Sequence, residues 1–291
     1  MLVVEQVGTL ALLQDLGRPG HTHLGVPPSG AADRPALRLA NRLVGNDEGA
    51  PAVELLLGGL TLRAEQAVVV AVTGAPAPVA VGRRVSSPYA AVHVPAGCTV
   101  SVGRPVHGLR SYLAVRGGFA ASLTLGSAST DLTSGLGPPP LEPGQRLEVG
   151  GSVTGPSRGS DLTGARPGPQ RGVTLRAVVG PRDDWFSGDA VHALASAEWQ
   201  VCRDSDRVGV RLQGPALSRA RTDELPSEAV VRGAVQVPAA GQPLVFFADH
   251  PTTGGYPVIA VVLDEDTDLL AQLAPGDTLR FALRRASWLP L

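Results

Sequence analysis

Ala67-Val68-Val69-Val70-Ala71-Val72, followed by Thr73-Gly74-Ala75-Pro76, is the stretch on which the fold turns. Its β-branched density favours extended backbone, and the glycine and proline behind it end the strand in a turn. The same punctuation runs along the chain: 36 Gly and 26 Pro among 291 residues separate short apolar runs, so they read as turns rather than disorder. A mainly β protein is the expectation.

Few helices break that pattern. Asp33 is placed to cap a helix over 34–44, with Pro35 in the first turn and Gly45 as the stop. Thr267 is placed to cap a short helix ended by Pro275-Gly276, and a third is expected near 183–186. Residues 150–172 have no apolar period and are rich in Gly, Ser and Pro, which predicts a linker. The expected domains are a β-rich lobe over 1–165 and a second lobe over 166–291.

Similar signals recur in one order on both sides of the linker. T-L-R-A occurs at 61–64 and 174–177, V-T-G-A at 72–75 against V-V-G-P at 178–181, and V-P-A-G at 94–97 against V-P-A-A-G at 237–241. G-G-F at 117–119 matches G-G-Y at 254–256, and L-E-P-G-Q-R-L at 141–147 matches L-A-P-G-D-T-L at 273–279. A shared order suggests one supersecondary plan used twice.

Composition sets limits on function. A chain of 291 residues with 43% hydrophobic content can bury about three quarters of its unfolded surface, close to the size at which chains divide. With 25 basic and 26 acidic residues the net charge is −1, too little to hold nucleic acid or an acidic membrane. The opening Met1-Leu2-Val3-Val4-Glu5 has no basic n-region, and the most apolar stretch is broken by Gly74, Pro76 and Pro78; neither secretion nor a membrane span is expected. Cys98 and Cys202, the only cysteines, fit reduced thiols, and the expected compartment is the cytoplasm. All 25 basic residues are arginine. Without lysine the chain cannot supply a Walker A lysine, a Schiff base or a biotinylated carrier by itself.

Chemistry is expected first at D-H-P-T-T-G-G-Y-P, 249–257, where Asp249, Thr252, Thr253 and Tyr256 flank the glycine pair Gly254 and Gly255. Paired glycines let amides approach an anion or carbonyl oxygen, with carboxylate and hydroxyl groups around it. The bland alternative is a tight turn satisfying its own backbone. Arg207, in a charged β-like run over 203–212, has the fork geometry for a carboxylate or phosphate, although such runs more often form a solvated face. Arg116, closing the strand-like 112–116, is either a substrate anchor or a partner holding the following Gly turn. Ser29 precedes the first helix, where amides could face an anion or simply belong to the cap. His21 and His23 lack further nearby ligands, so no metal is indicated.

These residues lie in longer blocks: T-L-A-L-L-Q-D-L-G-R-P-G at 9–20, S-G-A-A-D-R-P-A-L-R-L-A-N-R-L-V-G-N-D at 29–47, A-V-E-L-L-L-G-G at 52–59 and R-S-Y-L-A-V-R-G-G-F at 110–119. S-T-D-L at 129–132, D-R-V-G-V-R-L-Q-G at 206–214 and V-Q-V-P-A-A-G-Q-P-L-V-F-F-A-D-H-P-T-T-G-G-Y-P-V-I-A at 235–260 follow. Together they resemble the family of the C subunit of bacterial ATP-dependent 5-oxoprolinase, also described as allophanate hydrolase subunit 2, KipA-like proteins or biotin-dependent carboxyltransferases. The resemblance implies a cyclophilin-like β-barrel present twice, a KipI-like B subunit and a LamB/YcsF-like A subunit. It implies a hydrolase subunit, inactive alone, that helps cleave the small molecule 5-oxoproline to glutamate, with ATP used by the complex rather than bound by a P-loop here. On that reading Asp249, Thr252, Thr253 and Tyr256 are catalytic candidates, and Arg207, Arg116, Gly254, Gly255, Gln236 and Ser29 contact substrate. The alternatives are a carboxyltransferase component of a urea carboxylase and allophanate hydrolase system, and a regulatory protein binding a KipI-like kinase inhibitor.

Overall fold

The computed structural model describes residues 1–151, 153–161, 172–221 and 223–285. The linker expected over 150–172 lies in part outside them, at residues 152 and 162–171. The chain forms two compact units, Met1–Arg18 with Ser29–Pro169 and Pro19–Pro28 with Gln170–Leu291. The expected lobe boundary gave no sign of the Pro19–Pro28 excursion.

In the first unit the Ala67 run becomes the strand Val68–Gly74, flanked by Arg110–Val115 and Ala91–Val94 in antiparallel ladders. These three belong to a five-stranded sheet that continues through Ala52–Leu56 to Leu10–Gln14. Side chains alternate faces along a strand, and here both faces are covered. Val70 and Val72 point into a core shared with a second sheet, while Ala71 packs with Tyr112 and Ala114 beneath helix α1 (Arg34–Val44). With no polar face to present, the strand reads as an unbroken apolar run. Each fully buried valine contributes about 1.5–3 kcal/mol.

The second sheet has six strands, ordered Arg146–Leu147, Leu2–Gln6, Leu60–Ala64, Thr99–Val102, Val79–Val81 and Arg84–Ser86. The first unit therefore differs from a single closed ladder. One cause is local: Leu57, Gly58 and Gly59 all have positive φ (60°, 66° and 84°), which breaks the extended backbone between Ala52–Leu56 and Leu60–Ala64. The chain passes from one sheet to the other at that point.

Helix α1 has the expected caps. The Asp33 carboxylate accepts from Ala36 N at 3.0 Å, Pro35 lies in the first turn, and Gly45 takes the left-handed conformation at φ 76°. Its buried face comprises Leu37, Leu39, Ala40, Leu43 and Val44.

The second unit contains a closed seven-stranded barrel, ordered Val173–Val179, Val258–Val262, Ala234–Gln236, Leu244–Phe246, Gly209–Gln213, Trp199–Val201 and Thr278–Arg284. Val173–Val179 and Thr278–Arg284 pair in parallel to close it. Two helices differ from expectation. Near 183–186 there is a short 3-10 turn, Asp183–Trp185, and it is followed by an unforeseen helix, α2 (Gly188–Ser196), capped by Ser187. The last helix, α3 (Asp264–Thr267), begins before Thr267 and runs on as 3-10 turn Asp268–Gln272. Instead of capping, the Thr267 hydroxyl donates to Leu263 O at 3.1 Å, one turn back.

The repeated sequence signals have mixed structural equivalents. Gly97 and Gly241 both take positive φ, and so do Gly144 and Gly276, each just before the last strand of its unit. T-L-R-A and V-V-G-P lie along and just beyond one strand in the second unit, whereas T-L-R-A and V-T-G-A are on different sheets in the first. Gly117 and Gly118 have positive φ, unlike Gly254 and Gly255.

Candidate functional site

The strand Leu244–Phe246 runs through buried Phe247 and Ala248 to Asp249. There the carboxylate meets Arg207 in a two-point fork, Nε to Oδ2 at 2.7 Å and Nη2 to Oδ1 at 3.0 Å. Their side chains are only 5% and 1% exposed. Asp249 N also donates to Arg207 O at 2.8 Å. Two residues expected to act on a substrate thus neutralise each other inside the second unit and brace its loop.

Beyond Asp249 the loop turns outward. Val230 N donates to Thr252 O at 3.1 Å, and Thr253–Gly254 pairs with Glu228–Ala229 in a two-stranded sheet. Glu228 is paired with Arg182, whose hydrogen bonds hold the carboxyl below its usual range. Buried Gln236 donates from Nε2 to Tyr256 O at 2.9 Å. A Cβ on Gly254 would sit 2.5 Å from that same nitrogen, so any larger residue there requires the Gln236 amide to shift. Gly255 is exposed and has no such neighbour. Tyr256 is 48% exposed, with the Arg219 guanidinium carbon 6.0 Å from its ring centre. The surface offered by this loop is therefore Thr253, Gly255 and Tyr256, with Thr252 half-buried.

In the first unit Ser29 takes φ 53°, and its hydroxyl donates to Thr130 O at 3.4 Å. The nearby amides expected to face an anion already have acceptors. Ala31 N donates to Asp15 O at 2.9 Å, Ala32 N to Glu54 Oε2 at 3.0 Å and Asp33 N to Tyr112 Oη at 2.7 Å. The Tyr112 hydroxyl donates to Glu54 Oε2 at 2.6 Å; burial, then the adjacent Glu54 and Asp33 charges, raises its pKa well above 10.0. Arg116 uses Nη1 for the carbonyls of Val44, at 2.7 Å, and Gly155, at 2.9 Å, thereby satisfying the C-terminal end of α1. It also lines a cleft of about 420 Å³ with His93, Gln66 and Val69. A cleft of about 560 Å³ in the second unit is lined by Asp183, Phe186, His192 and Arg284 among others. Neither is lined by residues 249–257.

Residues 24–283 match the family described as the carboxyltransferase domain, subdomain A and B. The chain belongs to that family. As a carboxyltransferase-family chain it is 39% identical over 286 residues to the 5-oxoprolinase C subunit of Escherichia coli (strain K12), covering 97% of this chain and 90% of the relative. It is 37% identical over 284 residues to the 5-oxoprolinase C subunit of Haemophilus influenzae, with the same shares covered. The crystal structure of the K. lactis urea amidolyase superposes with a TM-score of 0.91 at 29% identity, over 96% of this chain and 18% of that longer one. Every candidate from Ser29 to Tyr256 falls within the matched carboxyltransferase span.

Sequence reasoning passed over a buried polar cluster in this carboxyltransferase chain. Asp15 Oδ1 accepts from Gly17 N at 2.7 Å and from the Ser127 and Ser129 hydroxyls, each at 2.6 Å; Oδ2 accepts from Ala128 N at 2.7 Å. Buried Arg18 donates to the carbonyls of Thr124 and Ser129. The available signal was Q-D-L-G-R at 14–18, a charged pair in an apolar context. Among the described residues, no group of three or more His, Cys, Asp or Glu side chains is arranged to hold a metal. No helix there is long and apolar enough to cross a membrane.

Proposed function

We propose that this chain is the C-type subunit of an ATP-dependent 5-oxoprolinase, a cytoplasmic complex that opens the lactam of 5-oxoproline to glutamate. Its partners are a KipI-like B subunit and a LamB/YcsF-like A subunit. The carrying observation is the extent of similarity: 97% of this chain aligns with 90% of the E. coli protein. By contrast, the chain aligns with only 16% of the yeast urea amidolyase.

A lactam carbonyl is a poor electrophile until ATP phosphorylates its oxygen. Water then adds to the activated carbon, amide donors stabilise the charge that develops there, the C–N bond breaks as the ring nitrogen takes up a proton, and a second water hydrolyses the resulting acyl phosphate to glutamate and phosphate. The loop over 249–256 contributes an edge braced internally by Arg207 and Asp249, with Thr253 and Tyr256 as its exposed polar residues and Thr252 half-buried beside them. Gly255 leaves main chain accessible beside them. ATP is held at the level of the complex, since this chain has no lysine for a Walker A cradle.

Glutamate release from 5-oxoproline, with and without ATP, tests the reading. The purified chain should release none, and activity should require this chain, both partners and ATP. Turnover by the chain alone would defeat its assignment as one part of a complex; full turnover by the partners without it would defeat its necessity. A carboxyltransferase role with carboxybiotin on another protein is a second reading, favoured by the 0.91 TM-score with urea amidolyase. Carboxyl transfer from a carboxybiotin carrier to urea in the presence of this chain would select it.

A further inference from the structure

We propose that the cleft beside Arg116 in the first unit is a carboxylate-binding site. This assignment rests on the 5-oxoprolinase reading in one respect: the carboxylate it takes there is that of 5-oxoproline, the group that the ring-opening chemistry leaves untouched. The cleft, about 420 Å³, falls within the usual range for small-ligand sites, about 300–1,000 Å³.

Val69 links two of the residues that line the cleft, His93 and Arg116. His93 is its cross-strand neighbour on Ala91–Val94, and Arg116 N donates to Val69 O at 2.8 Å. The guanidinium is oriented from behind, because Nη1 is held by Val44 O and Gly155 O. Nε and Nη2 make no hydrogen bond among the described residues, which leaves two donors on a fixed plane. Two parallel N–H groups on one fork match the two oxygens of a carboxylate. His93 and Gln66 line the same cleft. Among the described lining residues there is no carboxylate to compete. Arg207, the other arginine expected to engage the substrate acid, already has its counter-ion in Asp249. A helix-capping role alone accounts for Nη1 but leaves Nε and Nη2 without a hydrogen bond among the described residues, on an arginine that lines the cleft.

Binding to the full chain should be measured by calorimetry and ligand-observed NMR with three probes: L-5-oxoproline, its carboxamide, and inorganic phosphate. The acid should bind saturably, the carboxamide at least about tenfold more weakly, and phosphate more weakly than the acid. His93→Asp and Gln66→Glu place a negative charge in the cleft without touching the Nη1 clamp. Each should weaken acid binding about fivefold or more while leaving the unfolding midpoint close to that of the wild type. Arg116→Gln should abolish saturable binding, and the two charge variants keep the test valid if its loss of the helix clamp unfolds the chain. Equal affinity for acid and carboxamide, no effect of His93→Asp, no saturable acid binding, or tighter binding of phosphate would each overturn the assignment. In the assembled complex, His93→Asp should raise KM for 5-oxoproline with kcat little changed; an unchanged KM removes the substrate from this cleft. If the complex fails to open 5-oxoproline while the free chain still prefers acid over carboxamide, the 5-oxoprolinase reading falls and the carboxylate site stands.

Discussion

A guanidinium fork that meets both oxygens of a buried carboxylate leaves a stranded charge whenever one member is removed. Arg207→Met or Asp249→Leu alone should therefore destabilise the second unit by about 3–5 kcal/mol, whereas the double replacement should cost much less. Urea unfolding of the three variants checks this. Single variants of wild-type stability with lost activity would instead put the pair at the chemistry. Tyr89 gives a second residue-scale prediction. Burial first, and the Asp33 charge second, pushes its pKa up from 10.0 to about 12. A phenol whose folded pKa exceeds its unfolded value contributes stability that is complete below the unfolded pKa. That contribution is lost as pH rises from 10.0 towards about 12, so tyrosinate absorbance and loss of circular dichroism should rise together in that window. Tyr89→Phe should remove this part of the alkaline transition.

At the scale of elements, glycine has separate roles in one short loop. Gly254→Ala places a methyl against the Gln236 amide and should cost about 1–3 kcal/mol by displacing its hydrogen bond to Tyr256 O. Gly255→Ala should stay within about 0.5 kcal/mol, with thermal unfolding distinguishing the two. The sequence showed the pair but not this difference, because the distinguishing side chain comes from Ala234–Gln236, a separate strand. Helix α1 was legible because Asp33, Pro35 and Gly45 act locally on its own backbone; Asp33→Ala should lower stability by about 0.5–2 kcal/mol. Helix α2 was missed although Ser187 caps it, since only Ala190 and Leu194 are buried and its apolar period is weak. Thr267 misled for a related reason: a hydroxyl can cap the next turn or bond back to the previous one, and the packing of α3 chose the latter.

Over the whole molecule, the absence of lysine has a direct chemical outcome. Treating this chain with an amine-reactive ester before assembly should leave no side-chain amine adducts in its mass spectrum, so that any amine adduct sits on the α-amino group. Loss of activity after such treatment would point to the α-amino group of Met1, which lines the first-unit cleft, or to a free thiol at Cys98 or Cys202. The barrel is closed by parallel pairing of Val173–Val179 with Thr278–Arg284 across roughly a hundred intervening residues. Such closure contributes nothing until most of the second unit is ordered, so slow, cooperative refolding of that unit is expected by stopped-flow fluorescence of buried Trp199. A fast phase that orders Trp199 before the closing pair forms would contradict it.

The sequence by itself determined the β-rich class, the strand at 68–74, helix α1, the glycine turns at 97, 144, 241 and 276, the carboxyltransferase family and the lack of any lysine chemistry. Each depends on local backbone preference, on covalent composition or on a long run of matching residues. Tertiary structure decided that Arg207 belongs to Asp249, that amides near Ser29 are already occupied, and that Arg116 holds the carbonyls of Val44 and Gly155 through Nη1. Those outcomes depend on which side chains from distant strands come within about 3 Å of one another, because hydrogen-bond energy falls off over such short distances and sequence order does not encode them.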